Sequence, residues 1–119
     1  MDQNKLNRLN EDCHRALTEI LRRVKDPRVP EMLTIVKVSV TRDLSYCDVF
    51  VSALEGSERT KEAVKGLKSA GGYIRRELSS ALHTYKVPEL RFIADDSIEH
   101  SAHIWQLLEN LRPEERSED

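Results

Sequence analysis

Leu67-Lys68-Ser69-Ala70-Gly71-Gly72-Tyr73-Ile74-Arg75-Arg76 sets two adjacent glycines inside an apolar pattern of helical period that runs from Ala63 to Leu82. In a helix interior each glycine costs roughly 0.5–1 kcal/mol relative to alanine, so a straight helix through the pair would forfeit about 1–2 kcal/mol. The spacing therefore predicts two helices, over about 57–69 and about 73–86, meeting at a bend where small residues let the backbones come close. Lys61, Lys65 and Lys68 lead into the bend and Arg75 and Arg76 lead out of it, while Glu58, Glu62 and Glu77 offset them only in part. The corner is expected to be positive.

Working outward toward the N-terminus, Glu55-Gly56-Ser57 punctuates the chain, and Ser57 is the expected N-cap of the first of these two helices. Before it lie two alternating stretches. Val36, Val38 and Val40 oppose Lys37, Ser39 and Thr41, and Cys47, Val49, Val51 and Ala53 oppose Asp48, Phe50 and Ser52. Arg42-Asp43-Leu44-Ser45 is short enough to join them as an antiparallel hairpin. Farther back, Leu6, Leu9, Cys13, Leu17, Ile20 and Val24 fall along one face of a first helix, which Asp26-Pro27-Arg28-Val29-Pro30 must end because proline cannot continue the ladder.

Working outward toward the C-terminus, Ile74, Leu78, Ala81 and Leu82 are expected to face inward from the second of the paired helices. After Val87-Pro88-Glu89, the run Leu90-Arg91-Phe92-Ile93-Ala94 predicts a last strand with Leu90 and Phe92 on one face. A strand reached through a helical crossover lies parallel to its predecessor, so the sheet is expected to be mixed. Asp96-Ser97-Ile98-Glu99 has the form of a capping box for a fourth helix carrying Ile98, Ala102, Trp105 and Leu108, stopped by Arg112-Pro113. Residues 113–119 are expected to be an acidic, disordered tail behind a domain spanning 1–112.

At 119 residues the chain is long enough for one domain with its own core. Its net charge of -2 conceals an asymmetry: residues 1–94 hold 17 Lys and Arg against 13 Asp and Glu, whereas residues 95–119 hold 2 against 8. The two cysteines, Cys13 and Cys47, lie in no paired motif and suit a reducing compartment, as small buried apolar residues. No stretch approaches the roughly 18 apolar residues of a membrane span, and Met1-Asp2-Gln3-Asn4-Lys5 lacks the apolar region of a signal peptide. A cytoplasmic protein without a membrane partner is expected.

Enzyme chemistry finds little purchase. His100 and His103, with Asp96 and Glu99 nearby, sketch a metal site, but zinc sites want three or four converging ligands at closed spacing. Cys13 and His14 are adjacent on a helix and point apart, which argues against a nucleophile and its base. No G-x-x-x-x-G-K-[ST] loop is present. For the corner, two readings stand: Lys61, Lys65, Lys68, Arg75 and Arg76 follow a nucleic-acid backbone, or they are solvated faces of helices whose glycines permit packing. Arg22 and Arg23 are explained by the dipole of the first helix's last turn, and Arg28 either extends the basic surface or holds its own turn through Asp26.

The order helix, strand, strand, helix, corner, helix, strand, helix is that of the type II KH domain, a single-stranded RNA-binding module with a G-x-x-G loop between its helices. Here Ala70-Gly71-Gly72 stands in that place. With it come Lys25-Asp26-Pro27-Arg28, Thr41-Arg42-Asp43-Leu44-Ser45-Tyr46, Val49-Phe50-Val51-Ser52, Ala70-Gly71-Gly72-Tyr73-Ile74-Arg75 and Val87-Pro88-Glu89-Leu90-Arg91-Phe92, in that order. Together they resemble the blocks of the bacterial ribosome-binding factor A family over about residues 5–111, with departures at Thr84-Tyr85 and His103. The resemblance implies an α+β, type II KH-like domain with a three-stranded mixed sheet. It further implies a monomeric assembly factor that binds the immature small ribosomal subunit and its ribosomal RNA, with no reaction, cofactor, metal or small-molecule substrate. The RNA-binding residues it implies are Lys61, Lys65, Lys68, Ala70, Gly71, Gly72, Arg75, Arg76 and Arg28. The alternative is a KH-like protein-interaction module whose basic faces serve solubility.

Overall fold

Apolar residues three and four apart wind Gln3–Arg22 into α1, whose inward stripe of Leu6, Cys13, Leu17, Ile20 and Leu21 is buried. The structure, a computed structural model, describes residues 2–83 and 87–95. Beyond α1 it contains β1 (Thr34–Val40), β2 (Tyr46–Ser52), α2 (Ser57–Ser69), α3 (Gly71–Leu82) and β3 (Glu89–Ala94). The expected fourth helix and acidic tail lie outside the described residues.

The sheet runs β1-β2-β3, with β1 antiparallel to β2 and β3 parallel to it, as the crossover through two helices requires. Alternation drives Val38, Val40, Cys47, Val49, Val51 and Phe92 to one face, where α1 and α2 cover them. Cys47 of β2 and Cys13 of α1 are both free and buried in that core. The other face carries Asp48 opposite Arg91. That guanidinium grips the Asp48 carboxylate with two hydrogen bonds, the longer 3.1 Å, and lies 4.1 Å from the centre of the Tyr46 ring, so β3 is clipped to β2 across the outer surface.

The hairpin link is knit by two side chains. The Thr41 hydroxyl donates to Asp43 at 2.8 Å and accepts the Tyr46 N–H at 3.1 Å, and the Asp43 carboxylate also accepts the Ser45 N–H at 3.0 Å. Leu44 takes the left-handed conformation the tight turn needs, φ 62°.

Four expectations are corrected. A bulge at Val36 sets Ile35 opposite Val51 but Lys37 opposite Phe50, so Ile35 rather than Val36 packs against the core. One inserted residue reverses which side chains face inward. The capping position of α2 is Gly56, at φ 117°, and Ser57 is the first helical residue. Helix α3 begins at Gly71 instead of 73 and ends at Leu82 instead of 86, because His83 turns left-handed at φ 53°. Ala81, expected inside, is exposed, and α3 buries Ile74 and Leu78 with Leu82 partly covered.

Candidate nucleic-acid interface

The break between α2 and α3 is a single residue wide. Ala70 sits at φ -91°, ψ 9°, in the bridge region between helix and turn. Its N–H is shared between the carbonyls of Gly66 and Leu67, each at 3.1 Å, and its own carbonyl accepts the Ile74 N–H at 3.0 Å, opening α3. The two axes then diverge: α2 lies on β3 and β2, and α3 packs on α1.

Gly71 and Gly72 contradict the expectation that small residues here let two stretches of the chain's own backbone meet. Neither has a positive φ, and an added Cβ at either would have no neighbour within 4 Å. The close approach occurs one turn earlier, at Gly66, which the sequence reading passed over. A Cβ there would lie 2.8 Å from Val29 Cγ2, 3.3 Å from Arg28 Cβ and 3.3 Å from Asp26 Cγ. Gly66 is thus the seat on which the turn after α1 rests.

That turn is stiffened from within. The Asp26 carboxylate accepts hydrogen bonds from the Arg28 N–H at 2.9 Å, Nε at 3.0 Å and Nη2 at 2.7 Å. These bonds from Arg28, side chain first and backbone second, hold the Asp26 carboxyl down to about 2. Arg28 Nη2 also reaches Ser69 Oγ at 3.2 Å, and Arg59 Nη2 donates to the Pro27 carbonyl at 3.0 Å. Of the two roles open to Arg28, the structure shows that of turn holder, and it brings that guanidinium to the residue before the corner.

The remaining candidates divide. Lys65, Lys68 and Arg76 are exposed, and among the described residues none makes an ion pair. Lys61 lies 3.8 Å from Glu58 with both side chains largely in solvent, a contact that water screens. Arg75 spends one Nη2 on the Val87 carbonyl at 3.0 Å, tying α3 to the approach of β3. An open groove of about 490 Å³ bounded by Gly72, Arg75, Arg76, Ser79, Ser80 and Val87 runs along α3. On the other side of the corner a second open groove, about 370 Å³, lies between Ala70 and Tyr73 and the wall formed by Arg23, Val24, Lys25 and Asp26. Arg23, assigned above to the helix dipole, and Lys25 therefore border the corner. The signal for Lys25 was its place beside Asp26-Pro27-Arg28; for Arg23 nothing local in the sequence marked it.

A kinked helix pair over a three-stranded mixed sheet, with an open small-residue step and cations on both sides, defines a type II KH-like domain, the fold of a class of single-stranded RNA-binding modules. The family description ribosome-binding factor A matches residues 5–108 of the chain. The chain belongs to that family. A ribosome-binding factor A of Clostridium novyi is 37% identical over 120 residues, covering all of this chain and 99% of its own length. The crystal structure of ribosome-binding factor A from Thermus thermophilus is 27% identical with a TM-score of 0.67, over 75% of this chain and 93% of that one. A Thermus thermophilus homology model fitted into the cryo-EM map of a 30S complex is 28% identical with a TM-score of 0.62, over 72% of this chain and 90% of that one.

Proposed function

We propose that this chain is an assembly factor that binds the small ribosomal subunit and its ribosomal RNA, in the cytoplasm and without covalent chemistry. The observation that carries the reading is the open step at Ala70-Gly71-Gly72. Gly71 and Gly72 clear space that no part of the described chain fills, Arg76 lines the groove beside Gly72, and Lys65 and Lys68 are exposed on the helix that leads into the step. Glycine leaves room for another backbone to approach closely, and with exposed cations before and after it the step suits a sugar-phosphate strand. The complex with the 30S subunit described for the Thermus relative supports the partner, and the family's name denotes binding rather than a reaction. No helix among the described residues is long and apolar enough to cross a membrane.

In this reading Lys61, Lys65, Lys68, Arg75 and Arg76 neutralise phosphates, Ala70, Gly71 and Gly72 let the strand lie close, and Arg28 steadies the corner from behind. Residues 1–112 act as one domain, with 113–119 as an acidic appendage, and the protein works as a monomer. The test is binding of a small-subunit ribosomal RNA fragment across a salt series. Neutralising about five phosphates gives a slope of log affinity on log salt of roughly -3.5 to -4.5. A flat response, with binding to small subunits retained through their proteins, would favour the protein-interaction module instead.

A further inference from the structure

The groove between the end of α1 and the corner joins an aromatic ring to cations that nothing engages. Tyr73 and Ala70 stand on one side of its roughly 370 Å³, and Arg23, Val24 and Lys25 on the other. Tyr73, in the first turn of α3, is half-buried against the core, yet its hydroxyl makes no hydrogen bond among the described residues. Arg23 and Lys25 are exposed, and among the described residues neither side chain makes an ion pair or a hydrogen bond. The one acid on the wall, Asp26, is already taken up by Arg28, with Nε at 3.0 Å and Nη2 at 2.7 Å. The dipole of α1 accounts for a cation at Arg23, but Lys25 lies past the end of that helix at Arg22, where the dipole's reach has faded. The groove is therefore net positive around an aromatic floor.

We propose, building on the RNA-binding reading of the corner, that this groove seats one unpaired base of the strand that crosses the Gly71-Gly72 step. The base stacks on Tyr73, and the phosphate beside it meets Arg23 and Lys25. The chemistry of the wall selects this occupant. An apolar side chain of a protein partner would use Tyr73 and Val24 but leave both cations unmatched, and an acidic side chain would match the cations but not the ring. A nucleotide carries a planar face and an anion together. Continuity also favours it, because Tyr73 directly follows Gly72, so a backbone lying over the step reaches the groove at once.

The probe is the small-subunit ribosomal RNA fragment of the salt series, remade with single abasic residues at successive positions. With the wild-type protein one abasic position should weaken binding roughly tenfold, the worth of one stacked base. Tyr73→Leu should weaken binding of the intact fragment by a similar factor, leave the salt slope unchanged, and lose its sensitivity to that same abasic position. Tyr73→Phe keeps the ring and should bind as wild type does. Arg23→Ala/Lys25→Ala, altered only at exposed positions and so informative even if Tyr73→Leu fails to fold, should reduce the magnitude of the salt slope by about 1.4. If the fragment binds wild type with a steep salt slope while the leucine and double-alanine variants match it, the corner holds RNA but this groove does not, and the inference is overturned. Loss of affinity in Tyr73→Leu that adds independently to every abasic position places Tyr73 in the scaffold and overturns it as well. A fragment that fails to bind the wild-type chain at all removes the reading of the corner and this groove with it.

Discussion

Gly66 and the Gly71-Gly72 pair stand within two turns of one another, on either side of the same break, and face opposite surroundings. Gly66 is pressed against Val29, Arg28 and Asp26, whereas Gly71 and Gly72 meet nothing. The first shows glycine used for packing within the chain. The second shows glycine where the fold itself makes no demand for it, which supports the proposal that the pair serves a bound strand. Stability and binding should therefore separate cleanly between the two positions.

The largest effect should come from filling the tight site. Gly66→Val adds three carbons where one is already too close, and overpacking of this kind costs about 2–3 kcal/mol, read as a lower denaturation midpoint. A variant as stable as wild type would show that the Asp26–Arg28 turn is not seated on α2 and would dissolve the comparison. The opposite sign is expected across the break. Gly71→Ala/Gly72→Ala should raise stability by about 1–2 kcal/mol, since nothing crowds the new methyls and alanine restricts the unfolded chain. The same variant should bind the RNA fragment about tenfold more weakly, a loss of roughly 1.4 kcal/mol, because the methyls occupy the strand's space. Higher stability with unchanged affinity would sink the reading of the open step.

Smaller still is the stability change on removing charge. Lys65→Ala/Lys68→Ala should leave unfolding within about 0.5 kcal/mol of wild type, as solvated surface positions do. It should reduce the magnitude of the salt slope by roughly 1.4–1.8 if both lysines meet phosphates. The finest probe is Asp26. Its folded carboxyl titrates at about 2, below its unfolded value, so its contribution to stability is present above about pH 4 and is lost as pH falls toward 2. By NMR the Asp26 midpoint should rise toward the ordinary carboxylate range in Arg28→Ala. A midpoint unmoved by that substitution would mean that some other group holds the turn.

What the sequence disclosed follows from where the deciding forces are local. The stripe Leu6, Cys13, Leu17, Ile20, the alternation through β2, and the proline turn after α1 each depend on neighbours a few residues away, and each appears as expected. The errors lie where distant contacts or terminal positions rule. Gly66 is constrained by a turn some forty residues away in the chain, so its own neighbourhood gives no hint. The bulge at Val36 is a property of a pairing between two strands rather than of one. Gly71 and Gly72 open a helix instead of preceding it, a boundary set by the Ile74 N–H bonding back to the Ala70 carbonyl and not by the composition of the pair. The basic corner was legible as charge, but its sorting into Arg28 and Arg75, which brace the scaffold, and Lys65, Lys68 and Arg76, which do not, needed three dimensions.

The parallel pairing of β2 with β3 also sets an order of events during folding. The β1–β2 hairpin closes across five residues, but β3 can join only after the 36 residues from Ala53 to Pro88 have been threaded through both helices. Closing so long a span is slow compared with forming a hairpin. Pulse-labelled amide exchange should then find the Asp48 and Phe50 amides, which face β1, protected before those of Val49 and Val51, which face β3. A polypeptide emerging from a ribosome would thus hold its kinked helices unlatched until Val87 has been synthesised and Arg75 can grasp it, so that among the described elements the corner proposed to bind RNA is fastened late.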